Sequence, residues 1–247
     1  MSRILKTQIK DYTKEMDINF FCILRQFINV EMMNKIINKV NYFDDKYSNM
    51  NNEKKKINNL YSDYGNEGKI MKSWKPEDRE AMLDKYYDVR KGMWKELREI
   101  LSSIFYLLKK RQWKLTNISL FEIYPGYSEE EISMNIPEIL PGDTIRYYIN
   151  IPLHETKKNM GPIIYYKESM IKEFRKFHKH NESYGGVIGH LNSLKWEIKQ
   201  LFLNAREQYE YKLGDISIHR DITFHNGGTN NSNKIRRFLF IVCDVRN

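Results

Sequence analysis

The stretch GDISIHRDITFHNGGTNNSNKIRRFLFIVCDV, residues 214–245, places His225 eleven positions after Gly214 and eleven before Arg236. Each of these residue types carries a chemistry. A neutral imidazole offers a nitrogen lone pair to a transition metal. A guanidinium is a rigid fork of donors matched to a carboxylate, and its charge does not titrate away near neutrality. The polar turn between them, NGGTNNS, is short enough to bring both into one pocket, where Asn230 and Ser232 are candidate contacts for a bound anion. The alternative is purely structural: His225 and Asn230 make turn hydrogen bonds, and Arg236 is a surface cation. A metal centre needs further ligands, so the rest of the chain must supply another nitrogen and a carboxylate.

Candidates for that second half are scattered. His219-Arg220-Asp221 is a His-x-Asp, but it ends four residues before His225, in the expected connection between two strands. A set of His219, Asp221 and His225 would be entirely local. His154 and Glu155 are adjacent, so on a strand they point to opposite faces. His178 and His180 fall in the polar, basic segment KFHKHNES, where solvent exposure is expected. The Glu129–Glu131 run could lend a carboxylate, although charge runs usually face water.

The elements that must position these groups change character along the chain. FFCILRQFINVEMMNKIINKV begins as a short apolar strand and passes into helical spacing, with Asn29 as the expected N-cap. Residues 43–72 are polar without a clear period and predict a surface loop or mobile insertion. Ser73 and Pro76 suggest a helix start. Met82, Leu97, Ile100, Leu101 and Ile104 then make an apolar stripe on one long helix, or on two joined near Gly92. After Trp113 the runs are short and β-branched or aromatic: LTNISLFEIYP, DTIRYYINIPL, GPIIYYK, DISIH and RRFLFIVCDV. Helices first and strands later, without βαβ alternation, predict an α+β fold with an antiparallel sandwich or jelly roll. We expect a single domain, with helical support over about 1–115. A β-structure over about 116–247 follows, interrupted by a helical insertion near 190–211.

Bulk properties restrict the function classes. The 247 residues suffice for one sizeable core, and 41% apolar with 13% aromatic content describes a packed protein. Alanine occurs only at Ala81 and Ala205, while Asn, Lys and Ile abound, as in an AT-rich genome such as that of a protist or a large DNA virus. The net charge of +9 permits an acidic partner. Nucleic acid is nevertheless disfavoured, because basic and acidic residues alternate without basic–aromatic blocks. Cys22 and Cys243 alone give no disulfide framework and point to a reducing compartment. With no signal-peptide pattern and no apolar run of membrane length, the expectation is a soluble intracellular protein, in the cytoplasm or a viral particle.

The Gly-Asp pair at 214–215, then His225, the Gly/Asn/Ser turn and Arg236 resemble the C-terminal half of the phytanoyl-CoA-dioxygenase-like Fe(II)/2-oxoglutarate oxygenases. IPLHETKKNMGPIIYYKES resembles the family's stretch ending in Gly-Pro, and residues 18–40 resemble its opening strand and helix. The resemblance implies a double-stranded β-helix (cupin-like jelly roll) with N-terminal supporting helices. It also implies His225 as the distal iron ligand and Arg236 as the partner of 2-oxoglutarate's far carboxylate. The family's other two ligands form a His-x-Asp pair before the GPII strand. Here that place holds Ser133-Met134-Asn135, so Ser133 and Asn135 stand where an imidazole and a carboxylate are required. Neither contributes negative charge. The resemblance therefore implies a degenerate metal site and a binding or structural role, for instance in a protein assembly. The alternative is an active 2-oxoglutarate-dependent hydroxylase with a non-standard iron site, using Fe(II) and 2-oxoglutarate as cofactors.

Overall fold

The computed structural model describes residues 12–53, 69–73, 80–133, 143–168, 170–171, 187–189, 192 and 194–246. A short helix, α1, spans residues 12–19. The elements that follow are β1 (Phe21–Leu24), α2 (Val30–Glu53), β2 (Lys69–Ser73), α3 (Glu80–Leu107), β3 (Gln112–Ile123) and β4 (Ile132–Ser133). Then come β5 (Thr144–Pro152), β6 (Ile163–Tyr166), β7 (Val187–Gly189), α4 (Trp196–Ala205), β8 (Arg206–Gln208), β9 (Ile216–Arg220), β10 (His225–Gly227) and β11 (Arg236–Arg246).

Two antiparallel sheets result, one of order β1-β9-β5-β11-β3-β2 and one of order β7-β4-β10-β6-β8. From β3 onward the chain passes repeatedly between the two sheets, which is the winding of a double-stranded β-helix. The fold is thus α+β, a jelly roll with supporting helices.

Period-two alternation sorts each strand's side chains between two layers. On β11, Leu239, Ile241, Cys243 and Val245 join Met93, Leu97, Ile100, Leu101 and Ile104 of α3 in one buried cluster. Phe238 and Phe240 point the other way, toward the inter-sheet space, where Phe238 stacks on Phe121 and Phe240 on Tyr148. The second sheet has its own outer cover: Ile132, Ile164, Tyr166 and Phe224 pack with Phe202 and Ala205 of α4. Each sheet therefore has an apolar cluster on its outer face. The side chain of Met82, expected in the α3 stripe, falls outside the described ones.

Local chemistry explains the helices. The Asn29 side chain accepts from the Met32 amide at 2.9 Å, which caps α2 as its sequence suggests. α3 runs unbroken through Gly92, where a Cβ would lie 2.4 Å from Cζ of Phe43. That glycine lets α2 and α3 approach. Lys39 of α2 reinforces the contact by donating to the Gly92 carbonyl at 2.6 Å and to Glu96 at 2.7 Å.

Segment 43–72 differs from its expected loop: α2 continues to Glu53, and Lys69–Ser73 pairs with β3. Ser73 accordingly ends a strand instead of capping a helix, and Pro76 lies outside the described residues. Backbone pairing with an existing sheet edge outweighs a polar sequence there. Within the expected helical insertion, the α-helix among the described residues is Trp196–Ala205, and Arg206–Gln208 returns to the sheet beside β6. No helix among the described residues is long and apolar enough to cross a membrane.

Candidate functional site

His225 opens β10, between β4 and β6, and is paired directly with Ser133 on one side and Tyr165 on the other. Antiparallel partners share a face. The neighbouring Asn226 and Ile132 point outward: Asn226 accepts from the Tyr166 hydroxyl at 3.1 Å, and Ile132 packs in the α4 cluster. Ser133, His225 and Tyr165 thus line the inter-sheet space. Asn135 lies outside the described residues.

The His225 Nδ1 is 2.9 Å from the Thr223 carbonyl. A carbonyl only accepts, so Nδ1 carries the proton and Nε2 the lone pair. Facing it from the other sheet is His219, with ring centroids 4.6 Å apart and planes inclined by 49°. His219 lies within β9, not in a connection as its position suggests, and is 1% exposed. It sits between the rings of Tyr148 and Tyr165. The Tyr165 hydroxyl donates to Ser217 Oγ at 2.9 Å and receives Asn150 Nδ2 at 3.3 Å. His219 Nδ1 lies 3.4 Å from the same hydroxyl oxygen. His219 Nε2 is buried without a partner, as are Asn150 Oδ1 and Tyr211 Oη. Burial, and then the nearby charge of His225 when protonated, push the His219 pKa well below the usual imidazole range. It is neutral at pH 7.

Arg236, the first residue of β11, is 4% exposed, and alternation turns it inward while Arg237 faces α2. Arg237 is held by Asn41 at 3.0 Å, Asp44 at 3.1 Å and Glu122 at 2.9 Å. Arg236 rests over the Phe238 ring and gives Nη1 to the Met160 carbonyl at 3.3 Å, while its Nε has no partner. Burial lowers its pKa to about 10, opposed by Glu130, Tyr211 and Tyr127, so it stays charged at neutral pH. Tyr211, which feels the Arg236 charge, packs in one cluster with Tyr165. The polar lining therefore runs from the imidazoles through Tyr165 and Tyr211 to the guanidinium.

Several expected site residues have structural work instead. The Asn230 amide donates to the Ile123 and Lys234 carbonyls, each at 2.9 Å, and accepts from the Ser232 amide at 3.1 Å and hydroxyl at 2.7 Å. Its hydrogen-bonding capacity is spent inside the turn that sets the start of β11. The Gly-Asp pair does similar service. Gly214 has φ +93°, and a Cβ there would lie 2.2 Å from the Ile28 carbonyl oxygen. Asp215 accepts from the Gln26 amide at 2.7 Å, the Lys212 amide at 2.9 Å and Arg25 at 2.7 Å, tying β9 to the β1–α2 turn. His154 accepts the Arg237 amide at 2.9 Å, which fixes that ring in a turn. His178 and His180 lie outside the described residues.

In the acidic run Glu131 is exposed as its charge density suggests, whereas Glu129 and Glu130 are partly buried. Glu130 accepts from the Tyr127 hydroxyl at 2.6 Å and the Gly227 amide at 2.9 Å, and Glu129 pairs with Arg206 at 3.0 Å. Gly227 leaves room for this carboxylate, since a Cβ there would lie 2.6 Å from Glu130 Oε2. Nothing local in the sequence signals either placement, because the contacts are made across β10. Asp221 accepts the Ile222 amide at 2.9 Å, and burial raises its pKa. Among the described residues, no three or more His, Cys, Asp or Glu side chains gather to hold a metal ion. The His219–Asp221–His225 set therefore does not form. Among the described residues, no three-ligand set for iron gathers around His225.

No protein-family profile matches the chain, and no curated protein is a significant match in sequence. Solved structures are similar in fold. The non-heme alpha ketoglutarate-dependent carbocyclase SnoK from nogalamycin biosynthesis superposes with a TM-score of 0.62 at 11% identity, over 96% of this chain and 83% of that one. EvdO2 from Micromonospora carbonacea var. aurantiaca, complexed with 2-oxoglutarate, gives 0.59 at 12% identity, over 95% and 90%. HygX from Streptomyces hygroscopicus, with nickel and 2-oxoglutarate bound, gives 0.54 at 10%, over 98% and 87%. The chain has the fold of the non-heme 2-oxoglutarate-dependent oxygenases.

Proposed function

We propose that this protein is a phytanoyl-CoA-dioxygenase-like member of that fold whose iron site is degenerate. Its role is to bind a small carboxylate or phosphate at Arg236, in a binding or structural capacity, without oxygenase turnover. The observation that carries the reading is the register of β4 on β10, with Ser133 opposite His225 where an imidazole ligand is required. A hydroxyl brings no charge and a weak field to Fe(II). Without the metal, 2-oxoglutarate loses its chelated end and keeps only the guanidinium contact. One charge-assisted contact is worth about 1.5–3 kcal/mol, against roughly 8 kcal/mol for micromolar affinity. The buried Nε of Arg236 and hydroxyl of Tyr211 add donors on the same lining, which supports an anion of modest affinity.

Iron analysis and succinate release from purified protein, with added Fe(II) and 2-oxoglutarate, test the reading. Substoichiometric iron and no succinate are expected, with weak carboxylate binding that Arg236→Met removes. The double variant Ser133→His, Asn135→Asp should raise Fe(II) affinity. Stoichiometric iron in the unmodified protein, with succinate release that His225→Ala abolishes, would establish the active hydroxylase instead.

A further inference from the structure

A cavity of about 510 Å³ opens between the start of α2 and the last third of α3. It lies on the helical side of the larger sheet, apart from the space between the sheets that holds Arg236. Small-molecule pockets are usually about 300–1,000 Å³, and helix pairs are a common place for them. The lining is mainly apolar. Ile28, Ile100 and Leu107 are buried, whereas Phe27 and Met32 are partly open to water. The Tyr106 ring at its edge is 64% exposed. Covering such surface is favourable in proportion to the apolar area removed from water.

The walls are set by the rest of the fold. Gln26 has φ +46°, a left-handed backbone that is uncommon outside glycine. Asp215 holds it there by accepting the Gln26 amide at 2.7 Å, and the Ile28 amide donates to the Gly214 carbonyl at 3.0 Å. Asn29 then caps α2 through the Met32 amide at 2.9 Å. On α3, the Leu107 carbonyl accepts from the Thr13 hydroxyl at 3.2 Å. Strained backbone that its surroundings keep in place gathers at ligand sites. The Gly-Asp pair thus has a second effect, because it fixes Phe27 and Ile28 at the cavity before any ligand arrives.

The polar part of the lining selects the ligand's charge. Among the described residues that form the cavity, Glu99 alone is charged, and it is exposed. Lys35 feels this carboxylate but is bonded to Glu31 at 2.6 Å, and Lys39 is bonded to Glu96 at 2.7 Å. Glu99 itself has no ion pair among the described residues. An anionic ligand would meet repulsion here, and a cationic one would find its partner.

We propose that this cavity binds a small amphipathic amine. Its alkyl or aryl body lies against Phe27, Met32, Ile100 and Leu107, and its ammonium pairs with the Glu99 carboxylate. The site neither uses nor requires the anion contact at Arg236.

The test uses the whole chain with carbon-13 in its methionine methyls, and decylamine, decanol and decanoate as probes below their micelle concentrations. The Met32 methyl resonance, assigned with Met32→Leu, should move with decylamine, while that of Met93 in the core stays in place. Decylamine should bind most tightly of the three and decanoate least. Hexylamine should bind at least about tenfold more weakly than decylamine, because fewer methylenes are buried. Glu99→Gln, at an exposed position, should weaken decylamine about two- to fivefold and leave decanol unchanged. Ser103→Trp should fill the cavity and remove binding of every probe, with thermal melts to check folding. If that variant does not fold, the ranking of the probes and Glu99→Gln decide. An unmoved Met32 methyl at millimolar decylamine, decanoate bound as tightly as decylamine, or unaltered decylamine affinity in Glu99→Gln would overturn the proposal. A Met32 shift that follows protein concentration alone would give the groove to a second copy of the chain and overturn it as well.

Discussion

At the scale of residues, burial and hydrogen-bond accounting separate the groups that chemistry needs from those that only shape the pocket. Asn230 and Arg236 are both candidates by sequence, yet their valences differ. The Asn230 amide is saturated by the turn, whereas Arg236 keeps a buried nitrogen without a partner. Asn230→Ala should therefore cost about 2–4 kcal/mol of stability, because it leaves two carbonyls and the Ser232 donors short of partners. Urea unfolding measures this. A variant of undiminished stability that had lost anion binding would instead make Asn230 a ligand contact. The placement of His225 and Arg236 on successive strands around a turn was legible because alternation and turn length constrain it locally. The burial of His219 against His225 was not, because that contact is made by a ring in the opposite sheet.

Elements are held to one another at a few close approaches, and the Gly-Asp pair is the sharpest. Gly214 needs a left-handed backbone, and its missing Cβ admits the Ile28 carbonyl oxygen, a backbone atom that cannot swing aside. The Ile28 amide in turn donates to the Gly214 carbonyl at 3.0 Å. Gly214→Ala should cost about 2 kcal/mol or more, from the left-handed penalty plus the clash. Denaturation with chemical denaturant reads it, and a neutral result would mean that the β1–α2 turn gives way. The apolar stripe of α3 was readable from its three- and four-residue steps, since one helix face must be buried. β2 was not: a polar segment becomes a strand by pairing with β3, and that edge exists only after folding.

For the whole molecule, one buried cluster joins α2 and α3 to the inner strands of the larger sheet, and the two sheets meet through Phe21, Tyr165 and His219. This continuity leads us to expect a single cooperative unit. Far-ultraviolet circular dichroism, which follows the helices, and near-ultraviolet signals from the inter-sheet tyrosines should melt at the same temperature. Two separated transitions would divide the chain into a helical and a β domain. Such a result would leave the site's geometry standing while changing what supports it.

Hydrophobic period alone determined the layers: three-to-four spacing puts α3 on a sheet, and alternation in β11 gives one strand an oily face and a face for Arg236. Spacing of His225 and Arg236 around a turn determined that they lie on successive strands, which the fold assigns to opposite sheets. Tertiary structure decided everything that joins groups distant along the chain. It set Ser133 against His225, folded Glu130 over Gly227, and brought His219 beside His225. The physical reason is that strand periodicity specifies which way a side chain points, whereas register and sheet order specify what it meets. Those depend on backbone hydrogen bonds that any residue but proline can make, so residue identity carries little trace of them.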